Sequence, residues 1–70
     1  MKELAKQLGK RISGVRREKK MTSEKLAYEA GISKGYLSDV ENGKKLPSLK
    51  VLAELAEVLG VRLRRFFETL

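Results

Sequence analysis

The sequence predicts an all-α chain of five short helices. Three observations carry that reading. Apolar residues recur every three or four positions along most of the chain. No stretch alternates apolar and polar residues as a half-buried strand does. The single Pro, together with Gly31, Gly43 and Gly60, falls between the periodic stretches.

Leu4, Leu8, Ile12 and Val15 are spaced by four, four and three, which places them on one face of a helix over about 2–19. Its other faces are crowded with Lys and Arg. Gly9 and Gly14 each weaken this helix by roughly 1 kcal/mol relative to Ala. Thr22 can cap a second helix over 23–30, with Glu24 in the first turn, where the helix dipole favours an anion. Leu26, Ala27 and Ala30 make its apolar face. Gly31 stops it and Ile32 follows. Gly60-Val61 repeats this ending, a Gly past the last turn and then an apolar residue, as in a Schellman stop. Ser33 can cap a third helix, over about 33–42, with Leu37 and Val40 on the inner side. Asn42-Gly43 ends it. Asn-Gly is also a hairpin signal, but its flanks do not alternate. Lys44 to Pro47 reads as a loop. Ser48 caps a fourth helix carrying Leu49, Leu52, Leu55, Ala56 and Leu59. After Gly60 a last short helix carries Leu63, Phe66 and Phe67 and could take in Leu70.

Seventy residues allow one domain, 1–70, with a small core. Hydrophobic residues at 41% are too many for a disordered chain. Sixteen Lys and Arg face nine Asp and Glu, a formal charge of +7. A chain this small and this basic calls for an anionic partner, nucleic acid before acidic lipid. It has no Cys and no His. That removes disulfides, thiolate nucleophiles, the commonest general base and the commonest metal ligands. No paired-carboxylate site is evident either. The expectation is a protein that is not an enzyme and uses no metal and no cofactor. The apolar runs are too short to span a bilayer, and the N-terminus lacks the apolar stretch of a signal peptide. A cytoplasmic protein with no membrane partner is the expectation.

Only three residues separate the second helix from the third. So tight a turn cannot lay two helices side by side and antiparallel, and it favours the steep crossing of a helix-turn-helix at about 23–42. Ala27 and Ala30 supply small residues for the contact, and Gly31 allows the positive φ of the turn. Leu26, Ala27, Ala30, Gly31, Ile32, Leu37 and Val40 resemble the helix-turn-helix of the phage-repressor and Cro type, the xenobiotic-response-element family of regulators. So do the run Tyr36-Leu37-Ser38-Asp39-Val40-Glu41-Asn42-Gly43 and the later Pro47-Ser48-Leu49 and Leu59-Gly60-Val61. The likeness covers residues 8 to 67.

The resemblance implies a compact five-helix, repressor-like domain that binds double-stranded DNA as a homodimer on two half-sites, with the third helix in the major groove. Lys34, Gly35, Ser38 and Asp39 would then face the bases. Ser33, Asn42 and Lys44 would sit at phosphates. Thr22 and Ser23 would approach a phosphate through a hydroxyl and the backbone N–H groups at the start of the second helix. Ser23 stands where the family usually carries Gln, and it is too short both to touch the backbone and to buttress the reading residues. Gly35 offers no side chain to a base. Lys34 can donate to guanine, and Asp39 can accept from cytosine N4. The same likeness places the protein in the cytoplasm of a prokaryote or in a phage setting, at the nucleoid.

Charge is uneven along the chain. Residues 1–20 hold eight cations and two acids, residues 21–45 four and four, and residues 46–70 four and three. The excess lies on the first helix, either as a solvated face or as a flank that tracks phosphate, with Arg17 and Lys20 closest to the second helix. Arg16 follows Ile12 by four, and Glu41 follows Leu37 by four, so both flank the core. A carboxylate there needs a partner, and the family often pairs this Arg with this Glu, which makes Arg16 and Glu41 a structural ion pair. Leu63, Phe66, Phe67 and Leu70 form a candidate dimer interface, being more apolar surface than a small monomer readily covers. The rival reading is an antitoxin-like or adaptor module of the same fold, using that apolar end to bind another protein. A basic amphipathic membrane-surface segment is disfavoured, because the first helix has little aromatic anchoring.

Overall fold

The amphipathic stripe at the start of the chain forms α1, Lys2–Glu18, in the computed structural model, which describes residues 2–68. Then come α2, Ser23–Ala30, α3, Lys34–Glu41, and α4, Leu49–Leu59. A 3₁₀ turn, Leu63–Phe67, follows. No strand occurs among the described residues.

The three later α-helices start alike. Thr22, Ser33 and Ser48 are extended, and each side-chain oxygen accepts from the backbone N–H three residues on, that of Lys25, Tyr36 and Val51, at 3.0–3.1 Å. One of the orphan donors at each helix start is thereby satisfied. The four helices also end alike. Met21, Ile32, Lys44 and Val61 donate to the carbonyls of Arg16, Ala27, Asp39 and Ala56, five residues back. The preceding N–H groups donate three residues back, closing a Schellman motif at each end. This motif needs a left-handed residue, and Gly31 supplies it between α2 and α3 at φ 74°. After α1 the position is filled by Lys20, at φ 57°.

The helices enclose one cluster. Leu8, Ile12 and Val15 of α1 meet Leu26, Ala27 and Ala30 of α2, Leu37 and Val40 of α3, and Leu52, Leu55, Ala56 and Leu59 of α4. α3 packs on α1 and α2, α2 also packs on α4, and the 3₁₀ turn closes on α1 and α4.

Two expectations about the C-terminal end are corrected. In place of a fifth α-helix there is the 3₁₀ turn. Five residues are too few to offset helix nucleation, Arg62 makes no side-chain cap, and Arg65 N–H donates to Arg62 three residues back. The segment is placed by Phe66, whose ring is 0% exposed inside the core. Phe66 is therefore no part of an exposed dimer face. Leu63 is half-buried and packs on the core, while Phe67 remains 42% exposed. Leu70 lies outside the described residues.

The contact of α1 with α3 is unusually close. A Cβ added to Gly9 would lie 2.3 Å from the Val40 carbonyl oxygen and 2.7 Å from that of Glu41. Both are backbone atoms, so only a shift of a whole helix would relieve the overlap. One turn earlier on α1, a Cβ on Gly43 would meet Lys6 Cα at 2.8 Å. The end of α3 thus rests directly on the α1 backbone.

Two turns further along α1, Arg16 ties the same helices together. Its Nε donates to Glu41 Oε2 at 2.8 Å and its Nη2 to Glu41 Oε1 at 3.1 Å. Its Nη1 donates to the Met21 carbonyl at 3.0 Å. The two side chains are only 13% and 12% exposed. Among the described residues no buried side-chain polar atom lacks a partner.

Two predictions follow from this packing. Gly9→Ala should destabilise the fold by about 2 kcal/mol or more through overpacking. Gly14→Ala, where a Cβ would meet nothing within 4 Å, should instead stabilise it by up to about 1 kcal/mol. Urea unfolding of the two variants is the measurement, and equal effects would contradict the close contact. Arg16→Ala and Glu41→Ala should each cost about 3 kcal/mol, because each leaves a mostly buried charge unpaired. The double mutant should cost clearly less than the two single losses together, and additive losses in that cycle would mean that the pair does not interact.

Candidate nucleic-acid interface

The residues that α3 does not bury share one side of it. Leu37 and Val40 are 0% exposed. By the helical period, Gly35, Ser38, Asp39 and Asn42 fall on the opposite side, and Lys34, in the first turn of the helix, stands at its border. All are exposed except Asp39, which is half-buried. Glu41 lies at one border of this surface and goes to Arg16. Tyr36 lies at the other border, half-buried against the core. A Cβ on Gly35 would meet nothing within 4 Å. The fold itself does not require glycine there.

The turn at Gly31-Ile32-Ser33 sets α2 against α3. Lys34 at the start of α3 reaches Glu24 in the first turn of α2, with Nζ 3.6 Å from Oε2. Both side chains are more than half exposed, so this pair contributes about 0–1 kcal/mol. Its consequence is competitive, because an anion approaching Lys34 must replace Glu24. Thr22 and Ser33 cap their helices through their oxygens, which leaves each hydroxyl proton to donate elsewhere. Ser23 is half-buried and Thr22 is exposed.

Past α3, Asn42 Nδ2 donates to Ser38 Oγ at 3.3 Å. This joins two of the residues singled out in the sequence. Gly43 then turns the chain back on itself. The Asp39 carbonyl accepts from Lys44 N–H at 2.8 Å and more weakly from Lys45 N–H at 3.4 Å. Lys45 Nζ lies 3.5 Å from Asp39 Oδ2 and 5.6 Å from the centre of the Tyr36 ring. Lys44 is exposed.

Three members of this surface were not among the site residues chosen from sequence: Glu24, Tyr36 and Lys45. The Lys44-Lys45 pair was visible as a basic loop. Which lysine folds back onto α3 depends on the path of the turn, and two identical side chains in succession cannot reveal it. Arg17 is exposed near the end of α1, beside the immobilised Arg16. Among the described residues no cluster of three or more His, Cys, Asp or Glu is placed to hold a metal ion. No described helix is long and apolar enough to cross a membrane.

Known proteins share this arrangement. The family model described as Helix-turn-helix (HTH_3) matches residues 12–66. The immunity repressor protein of Bacillus phage phi105 is 40% identical over 55 residues, 79% of this chain and 38% of its own length. The chain thus spans well under half of that repressor. An HTH-type transcriptional regulator of Sinorhizobium fredii, y4dJ, is 39% identical over 59 residues, 84% of this chain and 77% of its own length. Among solved structures, the restriction-modification controller protein C.AhdI of Aeromonas hydrophila superposes with a TM-score of 0.88 at 30% identity, over 96% of this chain and 100% of that one. The matched region contains both helices of the turn, the Arg16–Glu41 bridge and the buried Phe66, and the chain belongs to the helix-turn-helix family of the phage-repressor and Cro type.

Proposed function

We propose that this protein is a sequence-specific DNA-binding transcriptional regulator that performs no covalent chemistry. The observation that carries the reading is the polar outer side of α3, opposite the fully buried Leu37 and Val40, with the capped start of α2 beside it. In this reading α3 lies in the major groove. Lys34, Ser38 and Asp39 meet base edges, and Gly35 lets the helix approach closely. Ser33, Asn42 and Lys44 contact phosphates. Thr22, Ser23 and the free N–H groups at the start of α2 clasp the backbone on one flank. Arg17 extends the phosphate contact along α1. The excess of cations on α1 adds long-range attraction rather than sequence preference.

The protein acts as a homodimer on two half-sites. A two-fold pair would present two copies of α3 about one DNA turn apart, roughly 34 Å. The exposed part of the C-terminal apolar end, Phe67 with the half-buried Leu63, supports this pairing. The protein works in the cytoplasm, at the nucleoid of a prokaryote or on a phage genome.

Selection from a random duplex pool tests the reading. A preferred duplex should emerge, and single-base variants of it then separate reading from positioning. Asp39→Ala and Lys34→Ala should each remove about 1–3 kcal/mol of discrimination at particular base pairs. Lys44→Ala should weaken binding to all duplexes alike and reduce the salt slope by about 1. If both α3 variants keep the wild-type preference, α3 is not the reader, and an adaptor module binding another protein becomes the better reading. For the dimer, Phe67→Ala should weaken self-association in sedimentation while leaving the melting midpoint almost unchanged. Phe66→Ala should instead cost about 3–5 kcal/mol of stability through the cavity it leaves. A strictly monomeric wild type at high concentration, with and without DNA, would overturn the dimer.

A further inference from the structure

Asp39 is the one acid on the outer side of α3, and it stands among residues proposed to face DNA. An unrestrained carboxylate there would be repelled by every phosphate it met, whatever the sequence. It would also sample several rotamers, and a hydrogen bond to a base edge would then have to order it. One side chain, Lys45, bears on both difficulties. Its ammonium lies 3.5 Å from Asp39 Oδ2. Lys45 is in turn held from two further sides. Its backbone N–H leans on the Asp39 carbonyl at 3.4 Å, beside the stronger bond from Lys44 at 2.8 Å. Its ammonium sits 5.6 Å from the Tyr36 ring centre, within the range of a cation–π contact. Tyr36 and Asp39 are three residues apart on α3 and so are neighbours on its surface. Tyr36, Asp39 and Lys45 form one cluster at the border of the outer side.

We propose that Lys45 is a positioning residue for base recognition, which fixes the Asp39 carboxylate and cancels its charge towards phosphate, so that Asp39 acts as a base-edge acceptor. The inference rests on the reading of α3 as the DNA-facing helix. Lys45 pairs with Oδ2, and a carboxylate has a second oxygen, which can accept from an exocyclic amino group such as cytosine N4–H. The neighbouring Lys44 has a different role. Its backbone closes the helix, and its exposed ammonium serves phosphate. Two adjacent lysines thus divide between preference and affinity. The division follows from the Schellman turn at Gly43, which brings only Lys45 back over Asp39.

The test uses the duplex selected by the wild type from a random pool, with its full set of single-base variants. Wild type, Asp39→Ala, Lys45→Ala and the double mutant are compared, with circular dichroism melts as a check on folding. Asp39→Ala should flatten the preference at one base pair, about tenfold. Lys45→Ala should flatten the preference at that same base pair by about threefold or more, with its melt unchanged. In the Asp39→Ala background the Lys45 change should have no further effect on preference. If Lys45→Ala weakens all duplexes equally and keeps the wild-type preference, Lys45 is a phosphate contact; the proposal is overturned while the reading of α3 stands. A preference change from Lys45→Ala that persists without Asp39 means that Lys45 acts on its own, and this also overturns it. If Asp39→Ala and Lys34→Ala both leave the preference intact, the reading of α3 falls and this inference falls with it.

Discussion

The Arg16 guanidinium is the junction on which the rest of the arrangement depends. Through Glu41 it holds the last turn of α3, and through the Met21 carbonyl it holds the segment that leads into the α2 cap. The two helices of the helix-turn-helix are thus referred to a single side chain on α1. A bidentate Arg–carboxylate pair is geometrically stricter than a hydrophobic contact, because both planar groups must align. In a core made of Leu, Ile, Val and Ala with one Phe, Phe66, apolar packing alone would allow α3 some rotation about its axis. The pair removes that freedom, and with it any uncertainty about which residues of α3 are presented outward.

The close seating of α3 on α1 works to the same end. At Gly9 the two backbones approach to a distance that no Cβ would permit, and at Gly43 the end of α3 presses on Lys6. Glycine within a helix costs roughly 1 kcal/mol in propensity. Here that cost is offset by a contact that fixes the height of α3 above α1, where Arg16 fixes its rotation. The identical Schellman endings contribute in a different way. They make each connection short and determinate, and after α3 the ending brings Lys45 back over Asp39.

The outer side of α3 is not a simple cationic patch. Residues 21–45 carry no net charge, and three of the four cations there are already paired, Lys25 with Glu29, Lys34 with Glu24 and Lys45 with Asp39. These exposed pairs add little to folding. Under the proposed function they matter at binding, because an approaching duplex has to compete with Glu24 for Lys34 and finds Asp39 already neutralised. Such a surface opposes indiscriminate attachment to phosphate and leaves general attraction to the cations of α1. Long-range attraction and preference then reside on different helices and can be varied separately.

The local elements were legible in the sequence because they depend on near neighbours. The stripe at Leu4, Leu8, Ile12 and Val15, the caps Thr22, Ser33 and Ser48, and the stops at Gly31 and Gly60 all follow from helical period and capping chemistry within a few residues. The outward positions of α3 followed too, since Leu37 and Val40 define its inner side. The C-terminal end was decided differently. Phe66 and Phe67 are identical as residues, and only the gap left by α1 and α4 determines that Phe66 fills the core while Phe67 stays at the surface, with a 3₁₀ turn as the backbone that permits it. Gly9 read as a weak point of α1 until its contact with the carbonyls of Val40 and Glu41, more than thirty residues away, gave it a purpose. Lys44 and Lys45 likewise could not be told apart in the chain, because their difference lies in the path of the turn that joins them to α3. Sequence by itself determined where helices start, stop and turn their apolar faces, because those depend on adjacent residues. Tertiary structure decided which of two like residues meets which neighbour, because that depends on the space left by segments distant along the chain.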